Sequence, residues 1–246
     1  MSPAATLRVL VWTADRASLG TPRGRTIRDG LHRVDADLIC LTEASADLLP
    51  PGHVVTSSPF PYGPAKTAVR KVVLWSRSPW TEADDVGHPD LPPGRFVHAR
   101  TQTCLGPVSI AGLCIPYSGA GMRERGRARW KEHEDYLDAL GRFLPEAGGG
   151  PELLVGDFNQ HLPRQTQPLR VHQKLAGLLG RGYTVATEAP LPPAPGAADD
   201  TPDRSLEHLA HGPRWRCEAR ATLSRKTAAG MNMSDRNGLV LTLARA

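Results

Sequence analysis

Short, β-branched apolar runs, each cut off by glycine or proline, recur along this chain. Leu7–Trp12, Leu38–Leu41, Val69–Trp75, Val97–Thr101, Val108–Ile115, Leu153–Val155 and Leu239–Leu243 all read as strands. Several are apolar at nearly every position, the pattern of strands covered on both faces. Helical periodicity runs over Ile27–Val34, Gly126–Phe143 and Leu169–Leu179, and Pro145 with Gly148–Gly150 ends the middle one. The Pro/Ala/Asp-rich stretch Thr187–Asp203 reads as a long surface loop. Strands outnumber helices, so the expected fold class is α/β (α+β), in one domain over residues 1–246.

Composition narrows the class further. With 40% hydrophobic and 22% charged residues, the chain can bury a sizeable core and is neither disordered nor membrane-embedded. The N-terminal MSPAATLRVLVW lacks the charged region and longer apolar stretch of a signal peptide. Cys40, Cys104, Cys114 and Cys217 are widely spaced with no CxxC pair, which argues for a cytoplasmic location and against a thiolate zinc site. The sequence does not fix the oligomeric state; a monomer is favoured. The net charge of +5 leans toward an anionic partner. Arg123, Arg125, Arg127, Arg129 and Lys131 form the one dense basic patch, readable as a solvated helix face or as a rim that meets phosphate.

Three acids stand at the ends of apolar runs. Leu153–Val155 leads into Gly156-Asp157-Phe158-Asn159, which sets a carboxylate and an amide two residues apart at one strand terminus. That pairs a general base or metal ligand with a neutral hydrogen-bonding group, although Asp and Asn also favour such positions for local turn reasons. Glu43 directly follows Leu38–Thr42, and a carboxylate at a strand end suits a hard divalent cation. Asp235 lies in Met233–Gly238, just before the last strand.

Taken in order, these segments resemble the endonuclease/exonuclease/phosphatase superfamily, which has the deoxyribonuclease I-like fold. The match runs through Val9–Thr13, Leu38–Glu43, Val72–Pro79, Ile110–Ser118, Gly156–Asn159, Ser205–His208 and Ser234–Gly238. The resemblance implies a four-layer αββα sandwich of two mainly antiparallel sheets, Mg²⁺ or Mn²⁺, and phosphoester hydrolysis by an activated water. Its substrates would be phosphoesters or other small molecules, with nucleic acid among the candidates. Carried over by position, Glu43 becomes the principal metal ligand and Asp157 the residue that orients or deprotonates water. Asn159 holds the phosphate or that water, Asp235 is a second acid near the metal, and Tyr117 contacts substrate.

The departures lie within the site. Thr13 stands where the family has Asn, and its hydroxyl is the remaining candidate ligand. Leu206-Glu207-His208 replaces Ile-Asp-His, and Ser234-Asp235-Arg236 replaces Ser-Asp-His. Arg236 cannot shuttle protons as His can, but it can clamp phosphate and pair with Glu207. His208 reads as a structural residue or a substrate contact, His161 as a stand-in for the missing His, and Arg125 and Arg77 as phosphate contacts. Glu43, Asp157, Asn159, Glu207 and Asp235 are expected to converge in one cleft. The same residues also suit a family member turned to a different small-molecule reaction, or an inactive module that holds anions or nucleic acid.

Overall fold

The computed structural model describes residues 5–60, 68–145, 149–188, 191–194 and 205–246. Two six-stranded sheets face each other among these residues. The first has the order β11–β12–β1–β2–β4–β3, the second β5–β6–β7–β8–β10–β9. In the first sheet β1 is Leu7–Thr13, β2 Leu38–Ser45, β3 His53–Thr56, β4 Val69–Ser76, β11 Trp215–Leu223 and β12 Gly238–Arg245. In the second, β5 is Trp80–Asp84, β6 Phe96–Thr103, β7 Gly106–Cys114, β8 Leu153–Asp157, β9 Thr184–Val185 and β10 Glu207–His211. Each sheet contains one parallel pair, β1 with β2 and β7 with β8; the other pairings are antiparallel.

The near-continuous apolar strands divide their side chains between two cores. Leu7, Val9 and Val11 of β1 face the second sheet and pack with Ile110, Leu153, Val155 and Leu209. Leu10 and Trp12 point the other way, onto Ile27 and Leu31 of helix α1 (Pro22–Val34). Each such buried aliphatic side chain contributes roughly 1.5–3 kcal/mol. Thr21 caps α1 by accepting from the Gly24 amide at 3.0 Å, and Pro22 takes a first-turn position that needs no N–H. On the outer face of the second sheet lie α3 (Lys131–Phe143) and α4 (Leu169–Leu179), which bury Tyr136, Leu137, Leu140, Leu175 and Leu178. The expected αββα layering is therefore present.

Two sequence expectations need correction. The helix read over Gly126–Phe143 starts only at Lys131, as α3, and a separate short helix, α2 (Met122–Arg125), precedes it. Gly126 and Trp130 both adopt left-handed backbone conformations, which interrupt the hydrogen-bonded turns. Of the loop read over Thr187–Asp203, residues 189–190 and 195–203 lie outside the described residues. Its Leu191 is not on the surface but is buried between the sheets.

Candidate functional site

Strand direction gathers the polar groups. β1 and β2 are parallel, so Thr13 and Glu43 come to the same edge, and β12 runs antiparallel to β1, which brings Arg236 there too. In the second sheet β8 ends at Asp157, while its antiparallel neighbour β10 begins at Glu207, with Glu207 opposite Asp157 in the register. Gly156 permits this ending. Its φ is +129°, and a Cβ there would lie 2.1 Å from the Leu113 carbonyl oxygen of β7.

Asp157 is almost fully buried. Its Oδ1 accepts from the Asn159 amide at 2.9 Å, and its Oδ2 accepts from Asn159 Nδ2 at 2.9 Å. Asn159, itself left-handed at φ 51°, also donates Nδ2 to the Ile115 carbonyl at 2.7 Å. Both hydrogens of its side-chain amide are thereby spent, so Asn159 orients Asp157 and has only its oxygen left for a water. Burial pushes the Asp157 carboxyl up to about 7, with Arg236 opposing and Glu207 adding to the rise.

Arg236 binds the acids together. Its Nη1 lies 3.0 Å from Asp157 Oδ2 and 3.3 Å from Glu207 Oε1, and its Nε lies 3.6 Å from Asp235 Oδ2. Burial opposes its charge, but these three carboxylates outweigh burial and raise its pKa further. The Trp12 indole holds the backbone by donating to the Arg236 carbonyl at 2.9 Å. Glu207 has no exposed surface and takes Thr13 Oγ1 at 2.6 Å and Ser205 Oγ at 2.8 Å as well. Ser234 fixes the turn by donating to the Thr13 carbonyl at 2.6 Å.

Glu43 stands at the same edge but in a separate ion pair. It sits beside Thr42, whose hydroxyl is 2.7 Å from that of Thr13, and is hydrogen-bonded to Lys71 Nζ, with Arg16 Nε at 3.5 Å. Burial works to raise its pKa, yet Lys71, Arg16 and Arg95 win and hold the carboxyl below its usual range. Lys71, like Arg16 and Arg95, is a site residue that sequence reasoning missed. It is one charge within an ordinary strand, and only the β2–β4 register puts it against Glu43.

The other candidates are scattered. Tyr117 is exposed and lies two residues beyond Ile115, whose carbonyl accepts from Asn159. Arg125 is paired with Glu132. Arg77 lies at the opposite end of β2, tied to Asp35 and Asp37. His208, expected as a structural residue or a substrate contact, is 1% exposed, with Nδ1 on Thr187 Oγ1 and Nε2 on the Gln160 carbonyl. Both ring nitrogens are occupied inside the fold, so it reaches no substrate. His161 is half-buried, and its Nδ1 has no hydrogen bond among the described residues.

The donor chemistry does not fit a Mg²⁺ or Mn²⁺ ion held by Glu43, Asp235 and Thr13. Glu43 is already hydrogen-bonded to Lys71, Asp235 faces Arg236 at 3.6 Å, and the Thr13 hydroxyl is taken up between Thr42 and Glu207. Among the described residues, no cluster of three or more His, Cys, Asp or Glu side chains is arranged to hold a metal. Hard cations need carboxylate charge and oxygen lone pairs that are free to coordinate them.

A model of the Endonuclease/Exonuclease/phosphatase family matches residues 14–221. No curated protein sequence matches the chain. Solved structures do. A 3′ phosphatase from Neisseria bound to a product DNA hairpin superposes with a TM-score of 0.68 at 17% identity, covering 96% of this chain and 98% of that one. The TDP2 protein of D. rerio, complexed with a single-strand DNA product, gives 0.65 at 14% identity over 98% and 99%. The catalytic domain of human Nocturnin, with a bound sulfate, gives 0.64 at 16% identity over 98% and 94%. At such identities the likeness is one of fold.

Proposed function

Because the chain belongs to the Endonuclease/Exonuclease/phosphatase family, we propose that it hydrolyses phosphoester bonds at the cluster of Asp157, Asn159, Glu207, Asp235 and Arg236. The observation that carries this reading is Asp157: a carboxylate pushed up to about 7, beside a guanidinium 3.0 Å away. A general base works best when its pKa lies near the working pH. Asp157 Oδ1 accepts a proton from water, the water oxygen bonds to phosphorus, and the ester oxygen leaves and is protonated by solvent. Arg236 takes up the negative charge on the phosphoryl oxygens. Glu207, Thr13 and Ser205 hold Arg236 and Asp157 in register, and the Asn159 oxygen orients the water.

The substrate is a phosphodiester presented at the surface. Exposed Tyr117 offers a ring for stacking against a base, and Arg123 and Arg129 lie exposed nearby in sequence. The structures of the Neisseria phosphatase and of D. rerio TDP2 hold DNA, which supports nucleic acid as the first substrate to test.

The test is turnover of bis(p-nitrophenyl) phosphate, p-nitrophenyl phosphate and short DNA duplexes by the parent and Asp157→Asn, each with EDTA or with Mn²⁺. Turnover should climb as the pH crosses about 7 and fall by about a hundredfold or more in Asp157→Asn. A parent that turns over none of these substrates in either condition, while still binding phosphate, would establish the non-hydrolysing anion module instead.

A further inference from the structure

Several carboxylates held close together need counter-charge. Here it is already present. Glu43, Asp157, Glu207 and Asp235 stand against Lys71, Arg236, Arg16 and Arg95. We propose that Lys71 and Arg236 are built-in cations that replace a divalent metal, so that the centre takes a phosphate ester without one. The inference deepens the hydrolase reading above and rests on the same placement of the centre.

Both cations are fixed in place. The Lys71 side chain is only 14% exposed, and its ammonium lies 5.1 Å from the centroid of the Phe60 ring while it bonds Glu43. The guanidinium of Arg95 stacks on the same ring at 4.7 Å and donates to the Cys114 carbonyl at 3.1 Å, which adds a second buried positive charge behind Glu43. Arg236 is 25% exposed and is anchored through Trp12 and the three acids. A metal ion entering at Glu43 meets a carboxylate already paired with the Lys71 ammonium and has to approach that like charge, which is strongly unfavourable at low dielectric. A phosphate ester meets guanidinium and ammonium donors that are already oriented.

The experiment titrates Mn²⁺ alone into the full chain, followed by electron paramagnetic resonance of free Mn²⁺ and by calorimetry. The parent and Lys71→Arg, which keeps the charge, are expected to bind no Mn²⁺ at millimolar concentration. Lys71→Gln/Arg236→Gln removes both fixed cations and should bind one Mn²⁺ about tenfold or more tightly than the parent. Adding Glu43→Gln to that double variant should abolish the gain. Single-site Mn²⁺ binding by the parent that is lost in Glu43→Gln overturns the proposal. So does a double variant with the parent's near-ultraviolet circular dichroism that still binds no metal. If the double variant does not fold, Lys71→Gln alone is read in the same way: a gain over Lys71→Arg supports the proposal and no gain overturns it. These readouts need no turnover, so a parent that binds no metal and hydrolyses nothing defeats the hydrolase reading and leaves this one standing.

Discussion

Thr13 Oγ1 donates to Glu207 Oε1 at 2.6 Å and so joins the last residue of β1 in one sheet to the first residue of β10 in the other. Glu207 is wholly buried, and its charge is tolerable because Thr13, Ser205 and Arg236 all serve its oxygens. Thr13→Val keeps the shape and removes the donor, which should cost about 1–3 kcal/mol in urea unfolding. Thr13→Ser should stay close to the parent. Equal midpoints for the Val and parent proteins would mean that this bond contributes nothing.

Arg236 neutralises two acids that lie opposite one another in the β8–β10 register. Arg236→Gln should therefore destabilise by about 3–5 kcal/mol at pH 8, where the two buried acids face each other without their counter-charge. The sign with pH follows from Asp157, whose folded pKa already lies above its unfolded value. Such a group costs stability as pH rises above the unfolded pKa, and losing Arg236 raises that cost. Thermal melts at pH 5 and pH 8 should show the variant closest to the parent at pH 5. A larger deficit at pH 5 contradicts the account.

His208 is held neutral in the fold, pushed down to about 4 by burial, with its hydrogen bond to the Gln160 carbonyl working in the opposite direction. A histidine depressed in this way contributes stability above its ordinary value of 6.5, and that stability is lost as pH falls toward about 4. The interval is worth on the order of 3 kcal/mol. In His208→Gln the loss of stability between pH 6.5 and 4 should be shallower than in the parent. Parallel pH profiles for the two proteins would rule out His208 as a source of acid lability.

Two glycines should respond in opposite directions. Gly156→Ala forces a Cβ onto the Leu113 carbonyl at a backbone angle that side chains avoid, and should cost on the order of 3–5 kcal/mol. Gly177, exposed within α4, has nothing within 4 Å of an added Cβ. Gly177→Ala should stabilise by about 0.5–1 kcal/mol. Midpoints in urea separate the two, and a neutral Gly156→Ala would mean that the β7–β8 contact is soft.

The two-sheet core was legible because β1, β2 and β8 are apolar on both faces, and burial on both sides leaves that mark in the residues themselves. The edge strands were not. β5 carries Thr81, Glu82 and Ala83 toward solvent, and β11 breaks its alternation at a bulge between Cys217 and Ala219. Within the site, Gly-Asp-Phe-Asn, Thr-Glu and Ser-Asp-Arg were readable as short strings at strand ends. What they touch was not. Lys71 meets Glu43 only through the pairing of Thr42 with Val72, and His208 was occupied by Thr187 and Gln160, far away in sequence. Pairings of this kind are properties of register, and register is not written in any one segment.

β12 is an interior strand of the first sheet, inserted between β11 and β1, and Arg236 lies two residues before it. A ribosome therefore releases most of the sequence before the first sheet can close. Until then Asp157 and Glu207 have no guanidinium between them, and Trp12 has no carbonyl to hold. Contacts of such long sequence separation are slow to form. The charged centre is thus assembled only with the completed sandwich, and no fragment ending at β11 can carry it.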